Sequence, residues 1–272
     1  MNIEIRVEEP TLEYPFSQLC TQSQIDSPAY GRWCGVLREA RAYHRKQWEF
    51  CYILQALWKR GSLAPGRRGL GFGVGEEPLS AVMAAFGCRI LATDLPSRFT
   101  AAGAWIETRQ HASSLEALNA RGLCDPALFA ERVSFAEADM NAVPAEWAGF
   151  DFTWSACALD HLGSLEHGLA FIERSLACIR PGGVAVHTTE FNVSSDSATL
   201  ATGATVLFRR RDIVELAERL AARGHRMVLN FNPGSGEVDR HVDEPPYSDI
   251  HLKLRTADYV ATSIGLIVDK SL

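Results

Sequence analysis

The sequence predicts an α/β fold, a doubly wound and mostly parallel sheet of seven strands, on three observations. From residue 66 onward, short apolar runs alternate with helix-like segments, the order in which strands and crossover helices follow one another in a parallel sheet. The first apolar run passes through glycine at every second position, Gly69, Gly71, Gly73 and Gly75, and a helix-like run, Leu79 to Phe86, follows it. Two later runs end in an acid, Asp94 and Asp139.

Residues 1–30 are polar and irregular, broken by Pro10, Pro15 and Pro28. From about 31 to 60 the spacing of Val36, Ala40, Tyr43, Phe50, Ile53, Leu54 and Leu57 predicts a helix with one apolar face. Its other face, Arg45, Lys46, Gln47 and Glu49, reads as solvated. Lys59 and Arg60 suit the helix C-terminus, and Gly61 can cap it. Residues 1–60 are therefore expected as an N-terminal helical cap, with the main domain over 61–272.

The first strand leads through Gly71 into the glycine loop and a helix over 77–87. Cys88 to Leu95 reads as a buried strand ending in Asp94, 19 residues after Gly75. Residues 98–131 look helical and loop-rich. A third strand covers 132–140 with Asp139 at its tip, and a fourth covers 150–155. A helix over 164–179 runs into Arg180-Pro181-Gly182-Gly183, a stop and turn, before a fifth strand at 184–190. An amphipathic helix over 210–223, a strand over 226–231 and a last strand over 260–268 complete the chain.

The glycine spacing narrows the ligand. A dinucleotide fingerprint G-x-G-x-x-G would place its third glycine at Glu76 or Val74. That disfavours a nicotinamide-dependent oxidoreductase. A phosphate loop would need lysine, and Glu76 and Glu77 would repel phosphate. A ligand with a cationic centre and little phosphate suits the loop; a glycine-rich turn with no ligand is the plainer alternative. An acid at the end of the second strand, Asp94, can accept from both hydroxyls of a ribose.

Composition adds exclusions. The 27 basic and 33 acidic residues give a net charge of −6, which weighs against a nucleic-acid partner. The 7 cysteines form no C-x-x-C pair and read as reduced, mostly buried thiols of a cytoplasmic protein. No apolar run approaches the length of a membrane span, and the first residues, Met1 to Arg6, do not form a signal peptide.

As an ordered set, several features over residues 66–190 resemble the class I S-adenosylmethionine-dependent methyltransferases, of the methyltransferase type 11 kind. They are Gly71-x-Gly73-x-Gly75, then Asp94, then Asp139, then the fourth strand followed by His161-Leu162, a helix and Arg180-Pro181-Gly182-Gly183. The resemblance implies a Rossmann-like sheet whose final strand inserts antiparallel between the fifth and sixth. It implies S-adenosylmethionine as cofactor, held by Gly71, Phe72, Gly73 and Gly75 in the loop, by Asp94 and Leu95 at the ribose, by Asp139 and Met140 at the adenine, and by Ser155. One position departs from the family. Gly69 stands where an Asp or Glu usually contacts the cofactor's amino group, so that contact is missing or supplied elsewhere.

The function expected is methyl transfer, by O-methylation, to a polar small molecule or glycan-type acceptor. His161 and Glu190 are the candidate bases, while His187, inside a strand, reads as core. Two segments, 191–209 and 232–257, exceed ordinary connections and leave the sheet on the cofactor side. They supply the candidate acceptor contacts Asn192, His241, Tyr247, His251 and Arg255. Asp239, His241, Asp243 and His251 match no metal site, and none is expected. The alternative is a binding or regulatory protein that keeps the fold without transferring methyl groups, which Gly69 favours.

Overall fold

The computed structural model describes residues 3–97, 111–112 and 114–272. Among the described residues ten strands form one sheet, rather than the seven expected. They are β1 (Glu4–Arg6), β2 (Ser17–Leu19), β3 (Arg68–Phe72), β4 (Arg89–Asp94), β5 (Val133–Glu137), β6 (Phe150–Ala156), β7 (Ile179–Asn192), β8 (Val228–Asn230), β9 (Lys253–Thr256) and β10 (Tyr259–Asp269). Their order is β1-β8-β2-β10-β7-β6-β3-β4-β5, with β9 pairing β10. Strands β3 to β7 run parallel, and β10 runs antiparallel to β7 along nine residue pairs.

The last strand thus lies beside the fifth strand of the expected core, β7, but not directly beside the sixth, β8. Arg226 and Asp269 pair at the base of β8 and β10. Beyond them β2 wedges between the two strands, parallel to β8 and antiparallel to β10. Ser17 holds the wedge: the Ile267 amide donates to its Oγ at 2.9 Å. A strand of three residues carries no readable period, which is why residues 1–30 look irregular in sequence.

The helical stretch of the N-terminal segment is two helices, α2 (Pro28–Leu37) and α3 (Arg45–Lys59), preceded by the short α1 (Gln22–Asp26). Arg38 ends α2 in the left-handed conformation, and His44 caps α3 by accepting from the Lys46 amide at 3.1 Å. Helix α3 packs on the sheet through Tyr52. A Cβ on Gly265 would lie 2.1 Å from that ring, so the glycine seats the helix. The Tyr52 hydroxyl donates to Phe16 O at 2.6 Å and fixes the approach to β2. Residues 1–60, expected as a cap, therefore also give two strands to the sheet and share its core.

On the sheet, α2, α3 and α4 (Leu79–Ala85) bury one apolar cluster with Trp33, Trp48, Phe152 and Trp154. Helix α6 (Leu165–Ala177) and helix α7 (Arg210–Ala222) bury a second with Phe72, Phe171 and Phe208. Helix α5 (Pro126–Arg132) precedes β5, and α8 (Glu237–Arg240) lies between β8 and β9. Arg180-Pro181-Gly182-Gly183 opens β7 instead of turning before it, and a register shift between Phe150 and Phe152 absorbs the irregularity. The expectation over 98–131 falls largely outside the described residues at 98–110 and 113. All seven cysteines are unpaired, six of them buried.

Candidate active site

The glycines divide into two pairs with different tasks. A Cβ on Gly69 would lie 2.4 Å from Phe152 Cζ, and one on Gly71 would lie 2.3 Å from Trp154 Cζ2. These two glycines make room for aromatic rings of β6. Gly73 and Gly75 have φ of 57° and 51°, so they form the tight turn that follows β3. The Gly75 amide donates to Asp94 Oδ2 at 3.0 Å, and the Val74 amide to Thr93 O at 3.1 Å, latching the loop onto β4.

Above this loop lies a cavity of about 490 Å³ at the C-terminal ends of β3 to β6. Gly73, Gly75, Asp94, Leu95, Asp139 and Met140, six of the expected cofactor contacts, line it. Gly71, Phe72 and Ser155 do not line it. Phe72 packs edge-on against Phe171 with centroids 5.1 Å apart, inside the core. Ser155 is fully buried and its Oγ lies 2.8 Å from His187 Nδ1. The alternation of side chains along β6 turns Ser155 away from the cavity, and the residues after it, Ala156, Cys157 and Ala158, form that wall. Cys157 has φ of 52°, and its amide donates to Thr188 O and Thr188 Oγ1, each at 3.1 Å, so the chain turns sharply as it leaves β6.

Asp94 is buried and accepts from the amides of Gly75, Leu95 and Ala112, at 3.0, 2.7 and 2.9 Å. Burial raises its pKa, and the three amides pull it back. Two carboxylate oxygens offer about four acceptor sites, so one stays open. Asp139 caps the short turn Met140–Ala142 by accepting from Asn141 N at 2.8 Å. His187, as expected, is a core residue: it lies between Ser155 and Ser175, and burial pushes it down to about 3.

The remaining wall comes from α3, and it overturns the solvated face expected there. Glu49 is fully buried, Gln47 nearly so, and the Arg45 side chain is 17% exposed. Lys46 Nζ lies 3.1 Å from Glu77 Oε1, 3.2 Å from Glu49 Oε2 and 3.0 Å from Ala156 O. Arg45 pairs with Glu190 and lies 3.9 Å from Glu49 Oε1. Ser263 Oγ donates to Glu49 Oε1 at 2.5 Å. A charged ladder, Glu77–Lys46–Glu49–Arg45–Glu190, thus crosses the cavity edge. The sequence signal was there: cations four and three positions before Glu49, heading a helix that up to Leu57 is otherwise apolar except for Gln47 and Gln55. The same spacing marks an exposed face, so only the fold distinguishes them.

Burial pushes Glu77 up to about 8, with Lys46 acting in the opposite direction. Burial likewise raises Glu190 against the pull of Arg45. One oxygen of each, Glu77 Oε2 and Glu190 Oε2, is buried with no hydrogen-bond partner among the described residues. Cys157, Asp160 and Glu190 bring possible ligand atoms within 4.8 Å of one another, and the Arg45 guanidinium, 4.0 Å from Cys157 Sγ, already supplies a cation there.

Of the candidate bases, His161 lines the cavity. Its Nδ1 lies 2.8 Å from Ala204 O and its Nε2 3.2 Å from Asp160 Oδ2, so acceptors engage both ring nitrogens. Glu190 sits behind Cys157, whose Sγ is 3.6 Å from its Oε1. The two long segments meet the site from behind. Residues 202–205 brace the lip at His161 to Ser164. The 232–257 segment reaches α3, where Arg45 N donates to His251 O at 3.0 Å.

None of the five candidate acceptor contacts is among the cavity-lining residues. Asn192 is buried and organises its own loop, accepting from the amides of Ser194 and Ser195. His251 binds Asp243 Oδ2 at 2.6 Å and stacks on His44. Tyr247 donates to Arg255 O at 3.1 Å, Arg255 pairs with Glu244, and His241 is exposed. Long loops carry enough polar side chains to look like a binding surface, and here those side chains fold the loops themselves.

The parallel strands in the order β5-β4-β3-β6-β7, with an antiparallel β10 beside β7, decide the fold. It is a Rossmann-like α/β fold, in the strand order that the resemblance to class I methyltransferases implies. The added β2 and β1 lie outside that core, on the β10 side. No family model matches the sequence, and no curated protein matches it. Among solved structures, the chain is similar to magnesium protoporphyrin IX methyltransferase from Synechocystis PCC 6803 with bound S-adenosylhomocysteine, at 13% identity over 91% of this chain and 96% of that one, with a TM-score of 0.49. An O-methyltransferase family protein from Burkholderia thailandensis matches at 13% identity over 89% of this chain and 68% of that one, with a TM-score of 0.46. Haemonchus contortus phosphoethanolamine N-methyltransferase 2 in complex with S-adenosyl-L-methionine matches at 20% identity, with a TM-score of 0.41; the match covers 61% of this chain and only 35% of that longer one. No helix among the described residues is long and apolar enough to cross a membrane.

Proposed function

We propose that this protein is an S-adenosylmethionine-dependent methyltransferase acting on a polar small molecule or glycan-type acceptor. The observation that carries the reading is the cavity at the C-terminal ends of the parallel strands, bounded by two turn glycines and by Asp94 and Asp139. Its size falls within the usual range for a small-ligand site, roughly 300–1,000 Å³. The residues fit the cofactor. Asp94 keeps an open acceptor site for a ribose hydroxyl, Asp139 and Met140 bound the far end, and the ladder with Asp160 sets four carboxylates against two cations. That balance suits a ligand carrying positive charge.

Bound there, S-adenosylmethionine would supply an activated methyl group to an acceptor heteroatom. The contribution of the chain is alignment and exclusion of water, with Phe50, Ala156 and Ala158 as apolar wall. An oxygen acceptor also needs its proton removed. The candidates for that step are His161, which lines the cavity with acceptors at both ring nitrogens, and Glu190, which stands behind Cys157 with one oxygen unpartnered. A general base contributes about 10²–10⁴-fold. Glu190→Gln should therefore lower turnover on a hydroxyl acceptor by that order while leaving cofactor affinity unchanged.

The second reading, a binding protein without transfer, draws support from the engaged ring nitrogens of His161 and from Gly69. Calorimetric titration with S-adenosylhomocysteine, followed by assay of a methyl-labelled donor against polar metabolite pools, separates the two. Binding with transfer supports the enzyme, binding without transfer supports the second reading, and absence of binding removes both.

A further inference from the structure

The strand that leads into the glycine loop presents no carboxylate to the cavity, because Phe152 Cζ and Ile90 Cδ1 would lie 2.4 and 2.9 Å from any Cβ at Gly69. A different acid stands in the wall. Glu77 follows the loop by two residues, lines the cavity, and has a side chain only 11% exposed. Its Oε1 takes Lys46 Nζ at 3.1 Å, and its Oε2 is buried with no hydrogen-bond partner. Lys46 cannot serve both oxygens, since Glu77, Glu49 and the Ala156 carbonyl occupy its three N–H directions. Arg45 is committed to Glu190 and Glu49. Glu77, a residue of the cavity wall, thus holds a buried acceptor oxygen for which the described residues provide no donor. A buried, unpaired carboxylate oxygen is unfavourable unless a ligand supplies the donor, which is why burial holds the Glu77 carboxyl up to about 8 here. A cationic N–H group is the donor that would also favour and offset its charged form.

We infer that Glu77 Oε2 receives the protonated amino group of the cofactor's amino-acid moiety, taking over a contact that Gly69 has no side chain to make. The inference rests on the proposed function and names the residue that orients the cofactor within it. Glu77 is pinned by Lys46, so the oxygen is held ready before the ligand arrives; helix α3 thereby takes part in cofactor recognition.

The test is a calorimetric cycle of two proteins and three ligands. The unaltered protein and Glu77→Gln are titrated with S-adenosylhomocysteine, its deaminated analogue, and 5′-methylthioadenosine, which lacks the amino-acid moiety. The unaltered protein should bind the deaminated analogue at least tenfold more weakly than S-adenosylhomocysteine, and in Glu77→Gln that difference should vanish while 5′-methylthioadenosine binds both proteins equally. If the amino group makes no difference to the unaltered protein, or if Glu77→Gln keeps the full difference, the assignment is overturned. Should Glu77→Gln not fold, Glu77→Asp replaces it; the shorter side chain should reduce the difference, and an unreduced difference overturns the assignment equally. If none of the three adenosine ligands binds the unaltered protein, the proposed function fails first, a result distinct from the others.

Discussion

His44 and His251 stack with ring centroids 4.9 Å apart, at the point where the segment before β9 meets the head of α3. Each ring has a second engagement. His44 Nδ1 accepts from Lys46 N at 3.1 Å as the helix cap, and His251 Nδ1 lies 2.6 Å from Asp243 Oδ2. The two residues that follow the cap, Arg45 and Lys46, are the cations of the ladder. Cap, stack and ladder are therefore one connected structure.

His44→Ala should cost about 0.5–2 kcal/mol through loss of the cap alone. The pH response has a definite sign. Burial, then His251 and Arg45, lowers the pKa of His44 below the ordinary 6.5. The unfolded chain then binds the proton more readily, so this contribution is fully present above about pH 6.5 and is lost as pH falls. Lys46 and Glu49 also face this ring, the first reinforcing the shift and the second opposing it. Urea melts of the parent and His44→Ala at several pH values would measure it; parallel pH dependences for the two would show that His44 does not titrate in this way.

His187 gives a larger acid effect in the same direction. Burial holds it down to about 3 against 6.5 for a free imidazole. Stability should decline as pH drops from about 6.5 toward 3, by on the order of 4–5 kcal/mol at full extent. His187→Leu should flatten that decline, although it leaves the Ser155 and Ser175 hydroxyls without the ring. An unchanged slope in the variant would assign the acid sensitivity to other groups.

Gly71 and Gly75 should fail differently when replaced by alanine. At Gly71 the new Cβ would press on Trp154 at 2.3 Å, a packing fault that costs about 1–3 kcal/mol and lowers the melting temperature. At Gly75 the fault is the left-handed backbone, φ 51°, which costs about 1–2 kcal/mol and loosens the turn that carries the Asp94 hydrogen bond. Thermal melts combined with S-adenosylhomocysteine titration separate them: Gly71→Ala should lose stability foremost, Gly75→Ala affinity as well. Identical profiles would mean that both glycines serve the same purpose.

These glycines mark where the sequence is readable and where it stops. The strand-tip acids Asp94 and Asp139 and the turn glycines Gly73 and Gly75 are legible because each follows an apolar run at fixed order, and the fold brings all four to one cavity. Gly69 and Gly71 look the same in sequence, yet they accommodate Phe152 and Trp154, residues more than 80 positions away. Ser17–Leu19 is too short to show a period. The ladder of α3 is invisible for a different reason. Charges spaced by three and four residues on a helix have the same pattern whether water or a strand end faces them. The expected acceptor contacts lie outside the cavity lining because loops fold on their own polar groups, as Asn192 and Asp243 do.

Asp94→Ala tests the most readable residue, and it should do two things at once. The side chain takes three amide hydrogen bonds, from Gly75, Leu95 and Ala112, so its removal leaves three donors without their acceptor. A buried donor left unsatisfied costs about 1–3 kcal/mol, so a marked loss of stability is expected along with loss of cofactor binding. Asp94→Asn keeps the shape and one acceptor oxygen, and should retain more stability than affinity. If Asp94→Ala melted like the parent while losing cofactor, the latch between the glycine loop and β4 would be of no energetic consequence.

The pair Arg45 and Glu190 decides whether the ladder is structural or chemical. Both side chains are largely buried, at 17% and 9% exposure. Breaking such a pair from one side leaves an uncompensated charge, typically at about 3–5 kcal/mol. Arg45→Met should therefore destabilise strongly, since it strands Glu190 beside Asp160 and Glu49. Glu190→Gln keeps the shape and leaves Arg45 its contact with Glu49, so it should destabilise less. In the double variant Arg45→Met with Glu190→Gln, no charge is stranded at position 190, and stability should recover above that of Arg45→Met alone, giving a coupling of about 0.5–3 kcal/mol. The cycle also separates roles. If turnover followed stability across the variants, the pair would be scaffolding for the cavity wall. If Glu190→Gln lowered turnover about 10²-fold or more while its melting temperature stayed near that of the parent, Glu190 would be acting on the acceptor's proton.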